Sequence, residues 1–202
     1  MLAFDHIVMT KAEPLANENF DIVQGGKHAQ WGTANMLAYF QNDCYIEWLY
    51  VENKEKAFLS TNPLIQHLLK IKKPNTPFQI AFRTDHLDNY IQHFKTENIP
   101  FIGPIKAERL TPNGSKLSWQ MVFPIYDPTK ETLPFLIQWD QANTSAKINS
   151  QIIKEISFGH ASIERLCHVY QLTPDKIQKN KIQLENCILS IKDKPVISYT
   201  LQ

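Results

Sequence analysis

The chain has 202 residues, of which 43% are hydrophobic and 20% are charged, so it can bury a core and has the composition of an ordinary globular protein. Its 21 basic and 20 acidic residues leave a net charge of +1, which argues against nucleic acid or an anionic membrane surface as a partner. No apolar run approaches the roughly 20 residues of a membrane span, and the first residues lack the layout of a signal peptide. Three cysteines without metal-type spacing fit a reducing compartment, so we expect a cytoplasmic protein.

The first part of the chain predicts strands joined by short connections. Residues 4–9 alternate as a strand does, Pro14 opens a short helix that ends at residue 20, and residues 33–40 and 44–51 form two more strands around a tight turn. Glu47 lies inside the otherwise apolar third strand, where a carboxylate needs a partner or water.

The rest of the chain predicts a linker helix followed by a similar series of elements. Asn62 caps the helix, Pro63 lies in its first turn, and it runs to residue 71. The elements that follow are a strand at 78–83, a helix at 86–97 capped by Asp85, and strands at 116–123 and 135–139. Beyond a linker at 141–145 we predict a strand at 152–158, a helix at 162–170 and strands at 182–191 and 196–201. The last two are too apolar to stand alone and should pair with a sheet edge of this chain or of a second subunit, as in a homodimer.

Residues 24–35 hold three of the six glycines of the chain beside polar and aromatic side chains. The residues of interest are His28, Trp31, Thr33 and Asn35. Two interpretations remain open. The stretch is either a binding loop, since such loops carry polar and aromatic residues without an apolar pattern, or a hairpin turn decorated with polar side chains.

The two halves of the chain share one order of elements, and short matches relate them. Asp-His-Ile-Val-Met at 5–9 matches Phe-Gln-Ile-Ala-Phe at 78–82, and Tyr-Ile-Glu-Trp at 45–48 matches Leu-Ile-Gln-Trp at 136–139. His6 then corresponds to Gln79, and Glu47 corresponds to Gln138. We therefore predict an α+β fold in which a β-α-β-β-β unit occurs twice, at about residues 1–52 and 77–140. Both units lie within a domain that spans residues 1–145. Residues 146–202 would add a βαββ appendage, a partial third unit that packs on or completes the same domain.

The paired unit, with His in its first strand and Glu in its last, resembles the vicinal oxygen chelate superfamily, which includes glyoxalase I, the extradiol dioxygenases, and the fosfomycin- and bleomycin-resistance proteins. Four motifs resemble its glyoxalase-like branch: Phe-Asp-His-Ile at 4–7, Gly-Gly-Lys-His at 25–28, Trp-Gly-Thr-Ala-Asn at 31–35 and Tyr-Ile-Glu at 45–47. The resemblance covers roughly residues 3–140. It implies that the two units close into a cup with a divalent metal on its floor.

Carried over to this chain, the resemblance places four residues at the metal positions: His6, Glu47, Gln79 and Gln138. His and Glu are good ligands for Zn, Ni, Mn or Fe, but Gln138 stands where the superfamily usually has a second carboxylate, so a dication would be poorly neutralised. The alternative is a polar pocket in which His6 and Glu47 form a hydrogen-bonded pair that the two glutamines satisfy.

Two classes of function remain open. One is a glyoxalase-like enzyme, a lyase, isomerase or dioxygenase, in which a metal stabilises a developing oxyanion and Glu47 or His28 moves a proton. The other is a non-catalytic binding or resistance-type sequestration protein with the same cup. Both imply a small-molecule ligand and neither needs nucleic acid or a membrane.

Several side chains are candidate ligand contacts. The aromatic candidates for stacking, which plain core packing would also explain, are Trp31, Tyr45, Trp119 and Trp139. Arg83 would anchor a ligand carboxylate or phosphate, or would be a solvated charge at a strand end. We expect residues 25–35 to fold over the mouth of the cup and to bring His28, Thr33 and Asn35 towards Glu47. His28→Ala or Asn35→Ala would then abolish binding at little cost in stability.

Overall fold

The computed structural model describes residues 2–11, 19–141, 147–159 and 161–202. The strands before residue 141 are β1 Ala3–Thr10, β2 Val23–His28, β3 Thr33–Tyr39, β4 Tyr45–Val51, β5 Pro77–Arg83, β6 Phe101–Leu110, β7 Lys116–Pro124 and β8 Phe135–Trp139. The helices of that part are α1 Lys54–Leu59, α2 Pro63–Leu68 and α3 Leu87–Thr96. Later elements are β9 Ile153–Gly159, α4 Ile163–Tyr170, β10 Ile177–Gln178, β11 Lys181–Gln183, β12 Ile188–Lys192 and β13 Ile197–Leu201, with a 3₁₀ turn at Pro174–Lys176. The helix predicted to begin at Pro14 lies mostly outside the described residues.

The first eight strands close into a barrel in the order β1-β4-β3-β2-β6-β7-β8-β5. In each half the first and last strands are parallel neighbours, β1 with β4 and β5 with β8, and the two halves meet where β1 runs antiparallel to β5. The predicted α+β fold of paired units around a curled sheet is confirmed. β2 was not predicted, and it completes the first half.

The pairing of β1 with β5 relates the two halves by an approximate two-fold axis. His6 lies opposite Ala81, Val8 opposite Gln79 and Ile7 opposite Ile80. Adding 73 to a residue number of β1 gives its equivalent in β5, so that His6 corresponds to Gln79 and Val8 to Ala81. The predicted equivalence of His6 and Gln79 is therefore confirmed.

The last strand of the second half corrects the other predicted equivalence. Val8 lies beside Glu47 in the first half, and its equivalent Ala81 lies beside Phe135 in the second. Phe135 therefore takes the position of Glu47, and the prediction that Gln138 does so is wrong. Gln138 lies three residues further along β8, and an odd step along a strand moves a side chain to the other face.

Gln138 instead serves the helix that packs outside the barrel. Its Oε1 accepts a hydrogen bond of 2.8 Å from the Leu87 backbone N–H at the start of α3. The predicted cap by Asp85 is wrong: His86 is the N-cap residue, its side chain makes no capping bond, and the acceptor comes from β8.

The segment between the halves packs α1 and α2 against the inner surface of the barrel. Asn62 accepts from the Leu64 N–H at 2.9 Å, which confirms it as the N-cap of α2, although the helix ends at Leu68 and not at residue 71. Helix α1, which was not predicted, is capped by Asn53. Leu64 and Ile65 of α2 are buried in the same core cluster as the residues of the barrel interior.

The C-terminal residues form a second sheet in the order β10-β11-β12-β9-β13. The predicted strand at 182–191 is divided between β11 and β12, and the predicted final strand is β13. Both find pairing partners within this chain. One continuous core joins the second sheet to the barrel, with Phe158 and Tyr170 in the same cluster as Phe4 and Phe82. Among the described residues, no helix is long and apolar enough to cross a membrane.

Candidate functional site

An irregularity in β1 brings Asp5 and His6 together. Phe4 pairs with Phe82 and His6 pairs with the next residue, Ala81, so Asp5 is an extra residue on its strand. Such a bulge re-aims side chains that regular alternation would keep on opposite faces. Asp5 Oδ1 and His6 Nδ1 are 2.7 Å apart, and both residues are buried.

A chain of polar contacts runs from Asp5 into the barrel. His6 Nε2 lies 3.6 Å from Glu47 Oε2, and Asn35 Nδ2 donates to Glu47 Oε1 at 2.6 Å. Asn35 Oδ1 accepts from the Gly26 N–H at 2.9 Å, which orients the amide so that its donor faces Glu47. The buried carboxylate of Glu47 is therefore held between His6 and Asn35.

Gly25 leaves the space that this arrangement needs. A Cβ at residue 25 would lie 2.1 Å from Asn35 Oδ1 and 2.8 Å from Leu37 Cδ1. The first of the paired glycines thus makes room for the side chain that positions Glu47.

Asp5 is the anionic end of the chain of contacts. Burial alone would raise the pKa of Asp5, but the hydrogen bond and charge of His6, the charge of Arg83 and the Trp139 N–H together lower it below its usual value. Trp139 Nε1 donates to Asp5 Oδ2 at 3.2 Å. Arg83 Nη1 donates to Asp5 Oδ2 at 3.3 Å and to the Asp43 carbonyl at 2.8 Å. Arg83, predicted to anchor a ligand, is thus engaged with the protein itself and does not line the cavity described next.

Glu47 opens on a cavity of about 30 Å³ in the barrel, lined by residues of both halves and of α2. Its lining residues are His6, His28, Trp31, Asn35, Tyr45, Glu47, Leu49, Leu64, Ile65, Arg109, Trp119, Met121, Phe135, Ile137 and Trp139. All four aromatic residues predicted as stacking surfaces are present, and Tyr45 stacks on His6 with ring centroids 4.5 Å apart.

Arg109 is a residue of this cavity that the sequence analysis missed. It points inward from β6 and is 6% exposed. Its Nη2 lies 3.5 Å from the Tyr39 hydroxyl, and no carboxylate of the described residues forms an ion pair with it. A buried guanidinium in this state favours an anionic ligand. The signal was present in the sequence, because Lys106 to Leu110 alternates and places Arg109 on the same face as buried Ala107.

His28 lines the cavity, and Thr33, predicted as a ligand contact, lies behind it and does not line the cavity. Their Nδ1 and Oγ1 atoms are 3.1 Å apart, and both residues are buried. Burial lowers the pKa of His28 to about 4, with the charge of Glu47 raising it and that of Arg109 lowering it to smaller extents. His28 is therefore neutral near pH 7.

The stretch at residues 25–35 is not a loop over a mouth, as was expected. Val23–His28 and Thr33–Tyr39 form a hairpin in the barrel wall, and the polar side chains project inward from it. The predicted approach of Asn35 to Glu47 is confirmed, whereas the burial of both residues argues against the low stability cost expected for His28→Ala and Asn35→Ala. His28 and Asn35 are 4% and 3% exposed, so shortening either leaves buried groups without partners.

The residues present do not fit the divalent metal that the resemblance implies. With metal–ligand distances of about 2.0–2.2 Å, His6 Nε2 and Glu47 Oε2 are close enough to share an ion. The second half adds no donor there: Phe135 has none, and Gln79 Nε2 donates to the Tyr126 hydroxyl and the Leu133 carbonyl, each at 3.2 Å. Two ligands fall short of the three that a catalytic zinc site takes. Within the described part of the chain, no cluster of three His, Cys, Asp or Glu residues is arranged to hold a metal.

Comparison with solved structures finds a protein of the same fold. A hypothetical protein from Staphylococcus aureus has 21% sequence identity and a TM-score of 0.79, over 98% of this chain and 89% of that one, which shows a shared fold. Methylmalonyl-CoA epimerase from Mycobacterium tuberculosis has 12% identity and a TM-score of 0.44, over 69% of this chain and 88% of that one. A hypothetical protein from Bacillus halodurans C-125 has 12% identity and a TM-score of 0.45, over 72% and 98%. No curated protein sequence matches significantly. The family model described as the glyoxalase-like domain matches residues 3–173, and the chain belongs to that family.

Proposed function

We propose that this protein is an enzyme of the lyase or isomerase type, in which Glu47 moves a proton on a small anionic substrate whose oxygen atoms Arg109 binds. The observation that supports the proposal is that Glu47, His6 and Arg109 converge on one buried cavity. A binding protein for an anion needs the guanidinium but has no use for a buried carboxylate backed by an Asp–His pair.

The proton transfer follows from the contacts of Glu47. Glu47 accepts a proton from a carbon next to a substrate carbonyl group, and the negative charge that develops on the carbonyl oxygen is stabilised by Arg109. Burial strengthens this interaction because water does not screen it. The proton on Glu47 then returns to the substrate at another position or goes to a leaving group. Asp5 holds His6 with Nε2 towards Glu47, so His6 helps to fix the position of the carboxylate.

The size of the cavity limits the substrate. A volume of 30 Å³ holds about one or two water-sized groups. The reacting end of the substrate is therefore small, as in a short 2-oxo or 2-hydroxy acid. A dioxygenase would need a redox metal, for which two ligands, His6 and Glu47, converge among the described residues.

Proton exchange in D₂O tests the proposal directly. The protein is incubated with a panel of short 2-oxo and 2-hydroxy acids, and loss of the C–H signal next to the carbonyl or hydroxyl group is followed by NMR. Exchange should occur with the wild type and be lost in Glu47→Gln, while Arg109→Met should raise the half-saturating concentration and slow exchange. Glu52→Gln is the matched control, since Glu52 pairs with Lys27 away from the cavity.

Binding of an acid without exchange would contradict the enzyme and identify a non-catalytic receptacle. An exchange rate in Glu47→Gln equal to that of the wild type would contradict the assigned role of Glu47.

A further inference from the structure

A second and larger cavity lies across Phe135 and Leu64 from the first. Its volume is about 510 Å³, within the range of about 300–1,000 Å³ that is typical of small-molecule sites. Its lining residues are Pro63, Leu64, Gln66, His67, Lys70, Ile71, Gln79, Ile102, Phe123, Pro124, Ile125, Tyr126, Pro128, Leu133 and Phe135. Most of them are apolar, so the cavity suits a ligand with a hydrocarbon body.

One polar group in this cavity has a proton to donate. The Tyr126 hydroxyl accepts from Gln79 Nε2 at 3.2 Å, and its own proton has no acceptor among the described residues. Burial raises the pKa of Tyr126, so the phenol keeps that proton near neutral pH. Gln79 thus orients a donor towards the cavity, and that donor fits a carbonyl or carboxylate oxygen.

The charged residue among those that line the cavity is a lysine. No Asp or Glu residue is among those that line it, and Lys70, on the turn after α2, is exposed at its edge. Burial lowers the pKa of His67, and the nearby Lys70 lowers it further, so His67 is neutral near pH 7. Lys70 forms no ion pair with a described residue. Glu131, whose charge acts on Tyr126, does not line the cavity and is paired with Arg165 at 3.4 Å. A lining with one cation and no anion complements a ligand with a single negative charge.

We propose that this cavity is a separate binding site for an amphiphilic monocarboxylate, with its hydrocarbon body between Phe123 and Ile125 and its carboxylate towards Tyr126 and Lys70. The site belongs to the second half of the barrel, shares only the Phe135 and Leu64 wall with the first, and does not depend on proton transfer at Glu47.

Octanoate and octan-1-ol are matched probes for this site, because they have the same chain and differ in charge. Titration calorimetry should show one octanoate per chain, bound more tightly than the alcohol. Lys70→Gln should weaken octanoate several-fold and leave the alcohol unchanged, and Lys72→Gln is the control for removing an exposed lysine charge nearby. Tyr126→Phe should weaken both ligands by about two- to tenfold, the usual effect of losing one hydrogen bond.

Two further variants obstruct the cavity from exposed positions, where a larger side chain is tolerated. Ile102 and Ile125 are 40% and 45% exposed and both line the cavity. Ile102→Trp and Ile125→Trp should each reduce octanoate affinity at least tenfold with unchanged unfolding curves, and Glu47→Gln should retain wild-type affinity. Absence of octanoate binding to the wild type, or wild-type affinity in both tryptophan variants, would overturn the proposal. Loss of binding in Glu47→Gln would place the ligand in the first cavity instead.

Discussion

Lowering the pH from 6.5 to 4 should destabilise this protein, and His28 should be a principal cause. The folded protein keeps His28 neutral because burial lowers its pKa to about 4 from the ordinary value of 6.5. The unfolded chain binds a proton at this residue below pH 6.5, and the folded chain binds one only near pH 4. Between these values the unfolded state carries more protons, so the free energy of unfolding falls as the pH falls.

The size of the effect follows from the difference between the two pKa values. Each pKa unit corresponds to 1.36 kcal/mol, so a lowering from 6.5 to about 4 gives about 3 kcal/mol, fully lost below pH 4 and fully present above pH 6.5. His67 adds a loss of the same sign, because its pKa is also lowered by burial. Asp5 affects stability in a lower pH range. Because its pKa is lowered, it adds stability above about pH 3.8, and this stability is lost only as the pH falls further.

Urea unfolding of the wild type and of His28→Gln at intervals from pH 7.5 to 4 measures this contribution. Glutamine does not titrate, so the variant should start less stable at pH 7.5 and lose about 3 kcal/mol less than the wild type on acidification. His86→Gln, at an exposed histidine, measures the background effect of the same replacement. Parallel pH profiles for the wild type and His28→Gln would refute the assignment.

Three other substitutions test contacts around the site. Gly25→Ala should cost about 1–3 kcal/mol and slow the proposed exchange reaction, because the new Cβ displaces the Asn35 amide; unfolding curves and exchange rates measure both effects. Trp139→Phe should cost about 1.5–3 kcal/mol at pH 7 by removing the hydrogen bond to the Asp5 carboxylate, and a loss below 0.5 kcal/mol would show that this bond is not maintained. Asn186→Ala should increase amide exchange in the second sheet without changing exchange within β2 and β3, because Asn186 bonds the Phe4 N–H and carbonyl and links that sheet to the barrel.

The strands with a clear run of apolar residues were predictable from the sequence. β1, β3 and β4 are mostly apolar runs of seven or eight residues, and Glu47 was recognisable because a carboxylate interrupts such a run. The equivalence of His6 and Gln79 followed from the short match between residues 5–9 and 78–82.

The elements that were missed depend on distant contacts. Gly25 and Gly26 predict a turn on local grounds, yet they lie in β2, where the first makes room for Asn35. At Gly26 a Cβ would lie 2.5 Å from the Leu110 carbonyl and 2.9 Å from Arg109 Nη1. Those neighbours are more than 80 positions away in the chain, so nothing near Gly26 in the sequence shows why a glycine is needed there. The position of Gln138 depends on the register of β8, and a match of four residues cannot set a register.

The two-fold relation between the halves leads to a last prediction. It tests whether Phe135, as the register of β8 indicates, or Gln138, as the sequence match indicates, is the equivalent of Glu47. In the first half Glu47 is held by Asn35 and His6. In the second half its equivalent, Phe135, contacts His6 edge-on at 5.6 Å and stacks on Phe123 at 5.0 Å, so apolar packing replaces a donor. Phe135→Glu would restore a carboxylate beside His6 and Glu47 and supply a third ligand to a dication.

We expect Phe135→Glu to be less stable than the wild type by about 3–5 kcal/mol without metal, since a buried ring is lost. Added Ni²⁺ or Zn²⁺ should raise its melting temperature and bind with one equivalent, because a ligand that binds only the folded state stabilises it. Gln138→Glu, the change that the sequence match would suggest, should gain no metal, because its side chain lies at the start of α3 outside the barrel. Metal binding by Gln138→Glu and not by Phe135→Glu would show that the register assigned to β8 is wrong. The expected result would show that one aromatic side chain separates this barrel from a three-ligand metal site.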